Sequence, residues 1–139
     1  MAATDAVEVG ALSKSTNSDI YWLKKAADAA LGSTLRFRVG CHVNQGGWST
    51  NSCNLRKSHP KLRKWGFPHY SNIHAEMAVV IKEGDGLADS TIYVTRLLRD
   101  GSWALAKPCV YCMGVLVACK VYRVVWSTGP LAGEALRLS

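Results

Sequence analysis

The segment Val121–Ser127 is almost unbroken in apolar character, the pattern of a strand buried on both faces. It follows a predicted helix, Pro108–Lys120, with Pro108 at the first position, where its missing N–H costs nothing. That helix in turn follows Thr91–Leu98, a stretch rich in β-branched residues that reads as a further strand. A strand–helix–strand unit ending in a doubly buried strand requires a sheet with cover on both faces.

The upstream half supplies the rest of such a sheet. Ser18–Leu31 reads as a helix capped by Ser18, with Ile20, Leu23, Ala27, Ala30 and Leu31 on one face, and Gly32 stops it. Thr34–Val43 alternates, with Leu35, Phe37, Val39, Cys41 and Val43 set against Arg36, Arg38, Gly40 and His42. Gln45-Gly46-Gly47 turns it into a second strand, Trp48–Leu55, and the two are expected to pair as a hairpin. A long loop, Arg56–Asn72, carries Trp65, Phe67 and Tyr70 among Lys61, Arg63 and Lys64. Ser71 or Asn72 then caps a helix over Ile73–Glu83, ended by Gly84. The order α-β-β-α-β-α-β predicts an α/β fold: a mixed sheet of four or five strands sandwiched by helices. Residues 1–17 read as a loose arm and residues 18–139 as one domain. Gly129-Pro130 ends the last strand, and the remaining residues are expected to form a short helix, leaving a fifth strand abbreviated or absent.

With 139 residues, 48% of them apolar and 19% charged, the chain has the material for one packed core. No strictly apolar run is longer than that of Val115–Cys119, which is far too short to span a bilayer. Asp5 and Glu8 precede any apolar stretch, unlike a secretory signal. Five cysteines, an odd number, argue against a disulfide scaffold and for a reducing, cytoplasmic setting. The net charge is +7, and no acid lies between Asp28 and Glu76. Arg36, Arg38, Arg56, Lys57, Lys61, Arg63 and Lys64 fill that interval, which suits an anionic partner such as a nucleotide phosphate or single-stranded nucleic acid.

His74, Cys109 and Cys112 stand at the starts of two predicted helices. Zinc takes imidazole nitrogen and thiolate sulfur together, and a C-x-x-C turn at a helix N-terminus offers both sulfurs to one ion. Three protein ligands are the number of a catalytic zinc site, which leaves its fourth position to water. Glu76, two positions after His74, is placed to act on that water as a proton carrier. By contrast, His42, His59 and His69 with Cys41 and Cys53 match no metal-ligand spacing.

Together, His74-Ala75-Glu76 and Pro108-Cys109-Val110-Tyr111-Cys112 match the H-x-E and P-C-x-x-C pattern of zinc deaminases. On these motifs, and on the element order over Ser18–Ser127, the chain resembles the cytidine deaminase-like superfamily. A histidine in the first motif is similar to the deoxycytidylate, cytosine, guanine and nucleic-acid-editing branches. Riboflavin-pathway deaminases, with a longer gap between the cysteines, fit poorly. Asn54-Leu55-Arg56-Lys57-Ser58-His59-Pro60 resembles the Asn-x-x-Lys-Thr-His-Pro stretch of deoxycytidylate-type enzymes, with Ser58 in place of Thr. Lys107 departs from the Glu or Ser that many relatives place before the proline.

The resemblance implies one Zn²⁺ per chain on His74, Cys109 and Cys112, with Glu76 catalytic. It implies that Asn54 bonds the substrate sugar and the Ala75 N–H the base carbonyl, with Lys57, His59, Trp65 and Tyr111 as further substrate contacts. The activity implied is hydrolytic deamination of a cytosine nucleotide or nucleoside, releasing ammonia, by a homo-oligomer. A deaminase acting on single-stranded DNA or RNA is the alternative, drawn from the basic aromatic loop, and a zinc-binding protein without turnover is a third.

Overall fold

The computed structural model describes residues 12–57, 59–66 and 72–138. Seven strands form one mixed sheet: β1 (Leu12–Lys14), β2 (Arg38–Gln45), β3 (Trp48–Cys53), β4 (Thr91–Leu97), β5 (Trp103–Ala104), β6 (Arg123–Gly129) and β7 (Ala132–Arg137). The helices are α1 (Asn17–Ala30), α2 (Pro60–Lys64), α3 (Ala75–Glu83) and α4 (Val110–Ala118), with a 3₁₀ turn at Gly84–Leu87. The strand order is β1-β7-β6-β4-β2-β3, with β5 paired to β4 beyond that path. β4 and β6 run parallel and α4 crosses between them, while the remaining pairs are antiparallel.

Alternation along the strands assigns the two faces. Cys41, Val43, Ile92, Val94, Val124, Trp126 and Leu136 join a core with Met77, Val79 and Val80 of α3 and Cys112, Val115 and Leu116 of α4. Tyr93, Leu97, Val125 and Ala135 point the other way, to Leu23, Ala26, Ala27 and Ala30 of α1. The sandwich expected from the sequence is therefore present, with α1 on one side and α3 and α4 on the other. Gly40 sets how closely α1 can dock, because a Cβ there would lie 1.8 Å from the Ala26 carbonyl oxygen.

Several expectations need correction. The sheet has more strands than four or five: the tail forms β7, paired to β6, where a short helix was expected, and β1 and β5 add two more. Ala-Gly-Glu-Ala-Leu-Arg has good helix formers, but Ala135 and Leu136 each fill a different core as a strand, and that packing outweighs local propensity. The polar stretch before α1 is not loose to its end, since Leu12–Lys14 pair with β7; residues 1–11 lie outside the described part. β2 starts at Arg38 rather than Thr34, because its partner β4 ends at Leu97, directly opposite Arg38. The expected loop contains α2, whose Leu62 is buried in the larger core. Cys109, rather than Pro108, opens α4, as its N-cap. Ser58, Phe67, His69, Tyr70 and Ser71 lie outside the described residues.

α1 is capped by Thr16, not Ser18. The Thr16 hydroxyl accepts from the Asp19 N–H at 3.1 Å, and the Asp19 carboxylate accepts from the Thr16 N–H at 2.9 Å. The same buried carboxylate takes both Arg123 nitrogens of β6, at 2.8 and 2.6 Å, tying the helix start to the sheet. Burial alone would raise the Asp19 carboxyl, but the Arg123 and Thr16 hydrogen bonds hold it below its ordinary value. Asp19→Asn is expected to cost about 2–4 kcal/mol at neutral pH by leaving Arg123 unpaired. With a folded pKa below the unfolded 3.8, the stabilisation is complete above that value and is lost as pH falls through the folded one. The difference between urea melts of wild type and variant should therefore begin to narrow only below about pH 4 and close below the folded pKa.

Candidate active site

α3 and α4 lie on one face of the sheet and begin near the same place. His74 is the N-cap of α3, in extended conformation, and its ring makes no capping bond to the helix. Cys109 is the N-cap of α4, and its sulfur accepts from the Cys112 N–H at 3.4 Å. Because α4 follows the carboxyl end of β4 in a parallel crossover, its first turn sits above that strand end, where α/β sheets bind ligands.

His74 Nδ1 stands 3.3 Å from Cys112 Sγ and 3.7 Å from Cys109 Sγ. The three donor atoms lie within 4.8 Å of one another, and among the described residues no other such group of His, Cys, Asp and Glu occurs. Tetrahedral zinc, with bonds of about 2.1 Å to nitrogen and 2.3 Å to sulfur, separates those donors by about 3.6 Å. The observed distances bracket that value, so the residues fit one zinc ion, and among the described residues no fourth protein ligand joins them.

The electrostatics agree. Hydrogen bonding from Cys112, then that from His74, draws the Cys109 thiol down to about 4. The same bond and burial push Cys112 far up. The Cys109 hydrogen bond raises His74. The shift favours the thiolate form of Cys109 beside the imidazole, which is the form that ligates a metal.

Glu76 occupies the first turn of α3 and is only 5% exposed. Burial is the largest influence on its carboxyl and raises it. It lines, with His74, Ala75 and Cys109, a cavity of about 570 Å³, within the range of small-molecule sites.

Of the residues expected to touch substrate, Asn54 and Ala75 are in this wall. The Asn54 amide is held by main chain: its oxygen accepts from the Val39 N–H at 3.0 Å and its nitrogen donates to the Phe37 carbonyl. Lys57, His59, Trp65 and Tyr111 are not in the wall. Lys57 is exposed. His59 caps α2, its Nδ1 accepting from the Lys61 N–H at 3.1 Å. Trp65 packs against the larger core, and Tyr111, 44% exposed, is on the outer side of α4. His42 faces α1, stacked on Trp22 at 5.3 Å, whereas its neighbour Cys41 faces α3 and α4, so the two cannot share a metal.

Sequence reasoning passed over Arg96, Phe37 and Leu105 and did not join Arg36 and Arg56 to the metal site, whereas Lys107 was expected beside the metal cysteines; all line the cavity. For Arg96 a signal existed. It follows Ile92 and Val94 at the strand period, so it shares their inward face.

A family model described as the cytidine and deoxycytidylate deaminase zinc-binding region matches residues 16–128. Among solved structures, the chain is similar to Acinetobacter baumannii RibD in two forms. Form 1 shows 24% identity, TM-score 0.49 and coverage of 79% of this chain and 28% of that one. Form 2 shows 26% identity, TM-score 0.48 and the same coverage, 79% and 28%. This chain therefore spans about 28% of the length of those structures. No curated protein matches it.

Metal analysis of the purified chain is expected to give one zinc per molecule. Cys112→Ser should lose most of it, while Cys53→Ser, at a residue outside the group, should keep it.

Proposed function

The chain belongs to the cytidine and deoxycytidylate deaminase zinc-binding family, and from that membership we propose that it hydrolyses the amine of a cytosine nucleotide or nucleoside, giving the uracil product and ammonia. The observation that carries this reading is a buried carboxyl, Glu76, on the cavity wall beside a three-ligand metal group.

Zinc, when bound, supplies Lewis acidity that makes water a nucleophile near neutral pH. The chain's own groups do the rest. Glu76 takes one proton of the attacking water and passes it to the ring nitrogen of the base, then takes the remaining proton of the added hydroxyl and gives it to the departing amine. Burial suits it to both giving and taking a proton, because its carboxyl is raised toward the working pH. The Ala75 N–H belongs to the first turn of α3, whose donors have no acceptor within the helix, and we assign it the base carbonyl. The small, buried Ala75 side chain lets the ring approach that backbone. Asn54 keeps a lone pair and a hydrogen beyond its two main-chain bonds, and we assign these to the sugar.

A single-stranded polynucleotide as substrate is the second reading, favoured by the exposed basic residues Lys61, Arg63 and Lys64 of α2. Its affinity would fall steeply with salt, unlike that for one nucleotide. A zinc-binding protein without turnover would release no ammonia. The setting we propose is cytoplasmic: the site needs thiolates, and all five cysteines are free. No described helix is long and apolar enough to cross a membrane.

We also read the chain as a homo-oligomer. α4 carries no charged side chain, yet Val110 is 77% and Tyr111 44% exposed, and Gly114 opens onto empty space. A helix apolar all round belongs in an interior or an interface. Sedimentation at micromolar concentration should show a dimer or larger, and Val110→Lys should shift it toward monomer with zinc retained. A monomeric wild type at all concentrations would overturn this part.

Glu76→Gln is expected to keep fold and zinc while kcat falls by roughly 10²- to 10⁴-fold. Ammonia release within tenfold of wild type would remove Glu76 from its role.

A further inference from the structure

Four cations reach the cavity from four separate parts of the chain: Arg36 ahead of β2, Arg56 after β3, Arg96 on β4 and Lys107 ahead of α4. Glu76 is the acid in the same wall, and the reaction occupies it. Among the described residues the ion pair is Asp19–Arg123, so none of the four cations is neutralised by a carboxylate. A concave space with unpaired positive charge selects an anion.

Arg96 is the most constrained of them. Arg36, Arg56 and Lys107 are exposed on connecting segments, whereas Arg96 is half-buried on the inward face of β4, at its carboxyl end. Its guanidinium carbon lies 4.7 Å from the centre of the Phe37 ring, which also lines the cavity and is 57% exposed. Its Nε is buried and has no hydrogen-bond partner among the described residues. Closed off in this way, Nε anchors the root of the guanidinium, and what Arg96 offers the cavity it lines is its charge and its terminal nitrogens. A guanidinium stacked on an aromatic ring presents a fixed planar fork, the geometry that takes two oxygens of a phosphate at once.

We propose that Arg96, backed by Phe37, anchors a phosphate group, with Arg36, Arg56 and Lys107 around it, and that the substrate is accordingly a cytosine mononucleotide rather than a nucleoside or free base. This rests on the deaminase reading for the identity of the base. A polynucleotide spreads single negative charges along a groove. Here the unpaired cations converge on one cavity, together with the proton-carrying carboxyl, which suits a single terminal phosphate of double charge.

The test uses the zinc-loaded full chain with cytidine, deoxycytidine, their 5′-monophosphates and a cytosine-bearing single-stranded oligonucleotide, scored for ammonia. The monophosphates should exceed the nucleosides in kcat/KM by roughly 100-fold, and inorganic phosphate should compete with them. Arg96→Gln should shrink the monophosphate-to-nucleoside ratio by roughly 10- to 100-fold, acting through KM, and Arg96→Lys should restore part of it. Arg99→Gln removes an equal charge from the exposed tip beyond β4 and should leave the ratio as it was. Equal use of nucleoside and monophosphate, a ratio unmoved by Arg96→Gln, or preference for the oligonucleotide with a steep salt slope would each overturn the proposal. Should no compound release ammonia, the deaminase reading falls by itself. Calorimetric titration with inorganic phosphate then decides the anchor: binding weakened at least tenfold by Arg96→Gln, with melting temperature and zinc content intact, upholds it, and unchanged or absent binding ends it.

Discussion

His74 Nδ1 comes within 4 Å of two sulfurs because two helices start at one point on one face of the sheet. Neither helix could hold the arrangement alone: α3 supplies one donor atom and α4 two. What keeps the two starts together is the core beneath them, where Met77, Val79 and Val80 of α3 and Val115 and Leu116 of α4 share the strand residues Ile92, Val94, Val124 and Trp126. A shift of either helix along the sheet would cost buried apolar area and separate the metal donors in the same movement. Stability and chemistry are therefore coupled through one layer of side chains.

On the opposite face, α1 depends on other means. Its small residues press on the bare backbone of Gly40, and its first turn is tied to β6 through Asp19 and Arg123. β2 and β4, which receive α1 on one side, carry Val39 and Arg96 into the cavity on the other. The docking of a helix that touches no ligand thus fixes the strands that shape the cavity wall.

The charge distribution has a clear division of labour. Asp19 and Arg123 neutralise each other in the fold, while the cations around the cavity have no carboxylate partners among the described residues. The single acid in the wall, Glu76, is kept from easy ionisation by its burial. Positive charge is held ready for something that arrives from outside.

Much of this was legible along the chain. Apolar periodicity located α1, α3, α4 and the strands β2, β4 and β6 to within a few residues, since each of these buries one face or both. The spacing in His74-Ala75-Glu76 and Cys109 to Cys112 named the metal group, because one helical turn determines where such residues point. The tail was misjudged: helix formers at Ala132–Arg137 became β7 once β6 offered a free edge, and β1 closed over it in turn. Thr16 and Asp19 show a missed local signal, a capping box overlooked beside Ser18. The distant partners could not be read. Asn54 bonded to Phe37 and Val39, Arg96 stacked on Phe37, and Lys57 and His59 turned out of the cavity all depend on which strands lie side by side. Sequence alone determined which chemistry the chain can hold, because ligand type and short spacing are local properties. Tertiary structure alone decided which cations surround that chemistry, because residues from four distant segments meet only after the sheet has set their neighbours.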